Sequence, residues 1–143
     1  MTKEPKGRVV ARLSREQRNF LLRRFTPTQR LIYCFNVTHA FRVPASFGFD
    51  KGPANIQITG IHRTDRTELL LCTLNGHHAR PDGRPYHITL AVADDASAKE
   101  AFELFHKEMS PNVERFDGPI LRSRLQWARL EVDTPTWNDK HTQ

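Results

Sequence analysis

Apolar residues recur along this chain in two rhythms, one of period two and one of period 3.6, and the two predict different elements. Over residues 86–93, Ile88, Leu90 and Val92 share one strand face, while His87, Thr89 and Ala91 share the other. The apolar face predicts the core side, so His87 and Thr89 point away from it. Residues 56–62 alternate Ile56, Ile58 and Gly60, and residues 68–74 form a second apolar strand. Residues 120–132 alternate Leu121, Leu125 and Trp127, then change phase at Leu130, which predicts one or two closing strands. Residues 30–43 mix aromatic, β-branched and polar side chains and predict one strand.

Two helices stand among these strands. Ser14 and Gln17 have capping-box spacing ahead of Phe20, Leu21 and Phe25, and Pro27 stops that helix. Ser97 and Glu100 repeat the spacing ahead of an apolar stripe of Ala98, Ala101, Phe102, Phe105 and Met109, which Pro111 and Asn112 end. Residues 44–53 and 75–85 carry Gly and Pro and predict loops, the second with the turn dipeptide Asp82-Gly83. Residues 1–7 and 133–143 predict flexible tails around a single α+β domain over residues 1–143.

Composition narrows the setting. At 143 residues, folding buries roughly 68–70% of the chain's surface, enough for a core without staples. Cys34 and Cys72 both lie in apolar segments and predict buried free thiols. No apolar run approaches a membrane span, and the basic first ten residues lack an apolar signal core; a cytoplasmic location with no membrane partner is the expectation. A net charge of +6 and a pI near 9.8 favour a polyanion, here RNA or a nucleotide phosphate. Arg15, Arg18, Arg23 and Arg24 crowd the first helix as a candidate RNA-binding patch, with a solvated helix face as the alternative.

Candidate chemistry centres on His87 and Thr89. An imidazole moves protons and a hydroxyl donates to phosphate oxygens, and here they share one strand face. Arg80, Arg84 and Tyr86, on the preceding loop and at the head of the strand, are candidate phosphate- or nucleotide-binding residues. An exposed hairpin with incidental charge is the alternative for that loop. His77 and His78 are adjacent, with no carboxylate or cysteine at ligand spacing, so no metal or other cofactor is expected. Tyr33 and Phe47 are candidates for base stacking; Trp127 suits the core better.

The stretch from Asn55 to Phe105 carries Thr59-Gly60 at a strand end, Arg80-Pro81-Asp82-Gly83 in a hairpin and Tyr86-His87-Ile88-Thr89 opening a strand. It resembles the 2H phosphoesterase superfamily, and within it the Swiss Army Knife RNA repair-like group, similar to the cyclic phosphodiesterase module of plant and fungal tRNA ligases. The resemblance implies a two-lobed antiparallel β-fold with flanking helices and a cleft between the lobes, each lobe offering one His-x-Thr. It also implies metal-independent hydrolysis of 2′,3′-cyclic phosphates or 2′-5′ linkages. His87 and Thr89 match the second motif and Thr38 the threonine of the first, where Asn36 replaces the histidine. Asparagine hydrogen-bonds but does not exchange protons near neutral pH, so impaired catalysis, or a non-catalytic RNA- or nucleotide-binding module, is expected. His39 lies on the opposite face of a regular strand. Downstream, Lys99-Glu100-Ala101-Phe102 stands where that group tends to carry a Ser-Asn pair.

Overall fold

The computed structural model describes residues 5–107, 113–130 and 133–139. Among them the chain runs β1 (Lys6–Arg12), α1 (Arg15–Arg24), β2 (Leu31–Ile32), β3 (Asn36–Pro44), β4 (Pro53–Arg63), β5 (Thr67–Leu74), β6 (His87–Val92), α2 (Ala98–Lys107), β7 (Val113–Arg115), β8 (Ile120–Arg129) and β9 (Thr136–Trp137). The strands pair antiparallel in the order β3-β1-β8-β4-β5-β6-β2-β9, with β7 on β4. The result is a curled, mostly antiparallel sheet with two short helices, an α+β arrangement. The sheet runs as one continuous path. β8 joins its halves: Ile120–Arg124 pair with β4 and Leu125–Arg129 with β1. The curl brings β3 back towards β6, because Tyr33 and Cys34, in the β2–β3 link, donate their N–H groups to the carbonyls of Leu90 and Thr89.

Burial accounts for the sequence pattern. β5 is buried along its whole length, which is why it reads as a continuous apolar run. Leu70, Cys72 and Leu74 join Ile56, Ile58, Ile88 and Leu90 in the main core, which Leu21 of α1 and Phe25 at its C-terminal cap complete. Leu69 and Leu71 instead pack with Val92 and Ala101 under α2. Each fully buried large aliphatic side chain contributes about 1.5–3 kcal/mol. The first capping box forms in full, Ser14 Oγ accepting the Gln17 N–H and Gln17 Oε1 the Ser14 N–H. In the second, Ser97 Oγ accepts the Glu100 N–H, but the Glu100 carboxylate turns to Arg66. The side chains of Phe102 and Phe105, together with Met109, Pro111 and Asn112, lie outside the described residues. Cys34 and Cys72 are buried free thiols. No described helix is long and apolar enough to cross a membrane.

Three expectations are corrected. Residues 30–43 are not one strand: Cys34 takes a left-handed φ of 63° and separates β2 from β3. The segment 1–7 is not all tail, because Lys6 and Gly7 open β1. At Gly7 any Cβ would collide with the Ala128 carbonyl oxygen, so glycine permits the close β1–β8 approach. Nor are residues 133–139 a loose end: β9 pairs with β2, and the buried Asn138 amide donates to the carbonyls of Pro27 and Gln29. These pairings join opposite ends of the chain, so no local pattern announces them.

Candidate functional site: a cavity between two signature strands

β5 and β6 pair Leu71 with His87 and Leu69 with Thr89, so the histidine and threonine stand on the α2 side of the sheet, away from Ile88 and Leu90. There they border a cavity of about 570 Å³. Asn36 and Thr38 of β3 line the same cavity, as do Arg80 and Arg84 from the loop before β6 and Lys99 from α2. Residues of two strands distant in sequence therefore meet on one volume. The lining cations Arg8, Arg42, Arg80, Arg84 and Lys99 outnumber the carboxylates Asp133 and Glu103.

His87 is held by its own strand entry. Its Nδ1 lies 3.2 Å from the Pro85 carbonyl oxygen, a geometry in which Nδ1–H donates and Nε2 carries the lone pair. Burial pushes the imidazole down to about 4, with the Pro85 bond opposing the shift and Arg80 adding to it. At neutral pH the ring is uncharged, so its Nε2 is able to accept a proton.

β3 reaches the cavity through two breaks in register. Asn36, Val37 and Thr38 pair in step with Arg12, Ala11 and Val10; Ala40 then pairs with Val9, and Phe41 with Arg8, leaving His39 as the extra residue. A second shift leaves Arg42 extra. Such bulges re-aim the side chains that follow them. Ala40 consequently joins the core, while Phe41 and Arg42 join the cavity wall. Arg42 has φ 59°, a conformation that costs a bulky residue about 1–3 kcal/mol. Phe41 is 53% exposed. His39 stays outside the lining; its Nδ1 lies 2.6 Å from the Tyr86 hydroxyl, and burial, with Arg80 adding to it, pushes the imidazole down.

At the Asn36 end, Arg8 and Asp133 meet. Arg8 Nη2 donates to both carboxylate oxygens of Asp133, at 3.1 and 3.2 Å, and Asn36 Nδ2 donates to Oδ2 at 3.5 Å. Tyr33 and Phe35, edge to face with ring centres 6.3 Å apart, line the wall nearby. Asp133, Phe41 and Arg42 were not singled out from the sequence. Nothing local marks a bulge, and Asp133 stands in a polar segment that reads as tail.

Other sequence candidates lie elsewhere. Tyr86 is not a wall residue: it precedes His87, so strand alternation turns it into the main core, where it is 3% exposed. Arg80 does line the cavity, but it is largely buried and ion-paired with Asp82. Of the four helix arginines, Arg15, Arg23 and Arg24 are exposed, whereas Arg18 is tied to neighbouring elements. Arg18 donates to the Tyr33 carbonyl and the Thr136 hydroxyl and stacks over Phe35. Arg24, though exposed, lies over Phe25. Phe47 packs partly buried against the core, as does Trp127, whose Nε1 donates to the Val43 carbonyl. His77 and His78 are exposed on the loop before β6.

Comparison with protein-family models, with curated proteins and with solved structures returns no match to this chain.

Proposed function

We propose that the cavity holds the phosphate of an RNA end or a cyclic nucleotide, as a 2H phosphoesterase-like protein with impaired catalysis. The observation that carries this reading is the convergence of Thr38 and Thr89, with His87, on one cationic cavity. The two hydroxyls donate to non-bridging phosphate oxygens. Arg42, Arg84 and Lys99 supply positive charge around them. Neutral His87 accepts the proton of an attacking water or hydroxyl through Nε2. The departing oxygen needs a proton in return, and the Asn36 amide does not provide one. General acid–base help of this kind is worth roughly 10²–10⁴ in rate, so the ligand is held well and turned over slowly, or not at all.

The test uses 2′,3′-cyclic nucleotides and RNA ending in a cyclic phosphate, with chelator present. The parent is expected to bind both saturably, with affinity falling as salt rises. Asn36→His is expected to raise turnover, because the new imidazole stands beside Asp133, whose charge favours the protonated, proton-donating form. Turnover is expected to vanish in His87→Ala while binding persists. A parent that binds neither ligand overturns the reading. A parent that binds but stays inert even as Asn36→His is a non-catalytic nucleotide-binding module.

A further inference from the structure

We infer that Asp133 is a specificity-determining residue of this cavity, its carboxylate accepting a ribose hydroxyl and so selecting ribonucleotides over deoxyribonucleotides. The inference rests on the phosphate-binding reading above. Asp133 is fixed from two sides. Arg8, with 11% of its side chain exposed, grips both carboxylate oxygens, and Asn36 approaches Oδ2. The carboxylate itself keeps 24% of its side-chain surface open on the cavity wall. A carboxylate accepts at about four lone-pair positions, and these contacts take three, so acceptor capacity remains towards the cavity.

Charge decides what fills it. Asp133 cancels the charge of Arg8, and a phosphate oxygen placed against a carboxylate is repelled. Phosphate is therefore directed away from Asp133, towards the Thr38 and Thr89 hydroxyls and the cations Arg84 and Lys99 that line the same cavity. The Asp133 corner is left with a demand for an uncharged donor. On an RNA end or nucleotide with an open 3′-phosphate, the donor next to that phosphate is the 2′-hydroxyl. In a 2′,3′-cyclic phosphate the same oxygen is esterified and donates nothing, so the selection acts on the open 3′-phosphate. A fixed carboxylate is a recurrent physical solution for holding that group.

The experiment measures binding of inorganic phosphate, adenosine 3′-monophosphate and 2′-deoxyadenosine 3′-monophosphate to the full chain. The parent is expected to favour the ribonucleotide by about 10-fold, the scale of one hydrogen bond to a charged group. In Asp133→Ala the two nucleotides should bind alike, while inorganic phosphate binds as before or more tightly, since a negative charge has gone. Asp133→Asn, which keeps the shape and one carbonyl acceptor, should retain part of the preference. It also decides the matter if the alanine variant does not fold. A parent without ribose preference, or an alanine variant that keeps the parent's ratio, overturns the inference and leaves Asp133 as a partner of Arg8 alone. Repeating the pair with uridine nucleotides should give the same ratio; a ratio set by the base would mean that Asp133 reads the base, which also overturns it. If the parent binds neither phosphate nor nucleotide, the phosphate-binding reading fails first, and this inference falls with it.

Discussion

In β6, His87, Ile88 and Thr89 pair in step with Leu71, Leu70 and Leu69, and the register slips at the next residue, Leu90. In β3, Asn36, Val37 and Thr38 pair in step with Arg12, Ala11 and Val10, and the register slips at the next residue, His39. The two strands share this local plan but not their surroundings. β6 lies between β5 and β2, whereas among the described residues β3 ends the sheet, with β1 as its one ladder partner. The inner strand meets packed layers, so its alternation is tied to burial: Ile88 and Leu90 are fully buried. The edge strand is freer to bulge, and it uses that freedom to place Phe41 and Arg42 on the cavity wall. One wall is thus set by the core, and the other by departures from regular pairing.

The largest expected difference between the strands is in stability. Ile88→Ala should cost about 2–5 kcal/mol by urea unfolding. Val37→Ala, which removes fewer methyl groups from a buried edge-strand site, should cost about 1–2 kcal/mol. Equal costs would erase the distinction between inner and edge strand.

Ligand affinity should divide the same way. Thr89→Ala removes a donor from the cationic part of the wall and should weaken binding of inorganic phosphate by about 1.5–3 kcal/mol. Thr38→Ala, on the strand whose Asn36 bonds the neutralised Arg8–Asp133 pair, should lose less. A larger loss for Thr38 in titration calorimetry would move the phosphate to the β3 side.

pH should report on β6 more than on β3. His87 titrates at about 4 in the folded protein and near 6.5 unfolded. Above about pH 6.5 both states are neutral and the full stability is present. As pH falls from there towards 4, the unfolded chain takes up the proton first, so stability drops, by about 1–3 kcal/mol. His87→Gln should flatten most of that slope. The lowered imidazole of His39 acts with the same sign, as do the lowered carboxyls of Asp82 and Glu100 at the acid end of the range. An unchanged slope in His87→Gln would show that His87 is solvated in the native state.

The smallest effect concerns Arg42. Glycine tolerates its left-handed backbone, so Arg42→Gly should leave stability unchanged or raise it by up to about 1 kcal/mol. The same change should lower phosphate-ligand affinity. A stability loss without an affinity loss would make Arg42 a structural residue.

The legible parts of this molecule are those where one local rule and the core agree. Alternating Ile88 and Leu90 announced both the strand and the direction of His87 and Thr89. Ser14 with Gln17, and Pro27 beyond them, announced α1. The apolar settings of Cys34 and Cys72 announced buried thiols, whose burial pushes both groups up. Tyr86 was misplaced although the same alternation covers it: sharing a strand with His87 is not sharing its face.

The amino-acid order by itself determined which segments could be strands or helices and which face of β6 could carry polar chemistry, because periodicity and capping act over a few residues. Only the tertiary structure decided that Asn36 and Thr38 meet His87 and Thr89, that bulges turn Phe41 and Arg42 towards them, and that Asp133 closes on Arg8. Those outcomes depend on sheet curl, strand register and a pair 125 residues apart, and the energies that choose among registers reside in contacts made only once the whole sheet has closed.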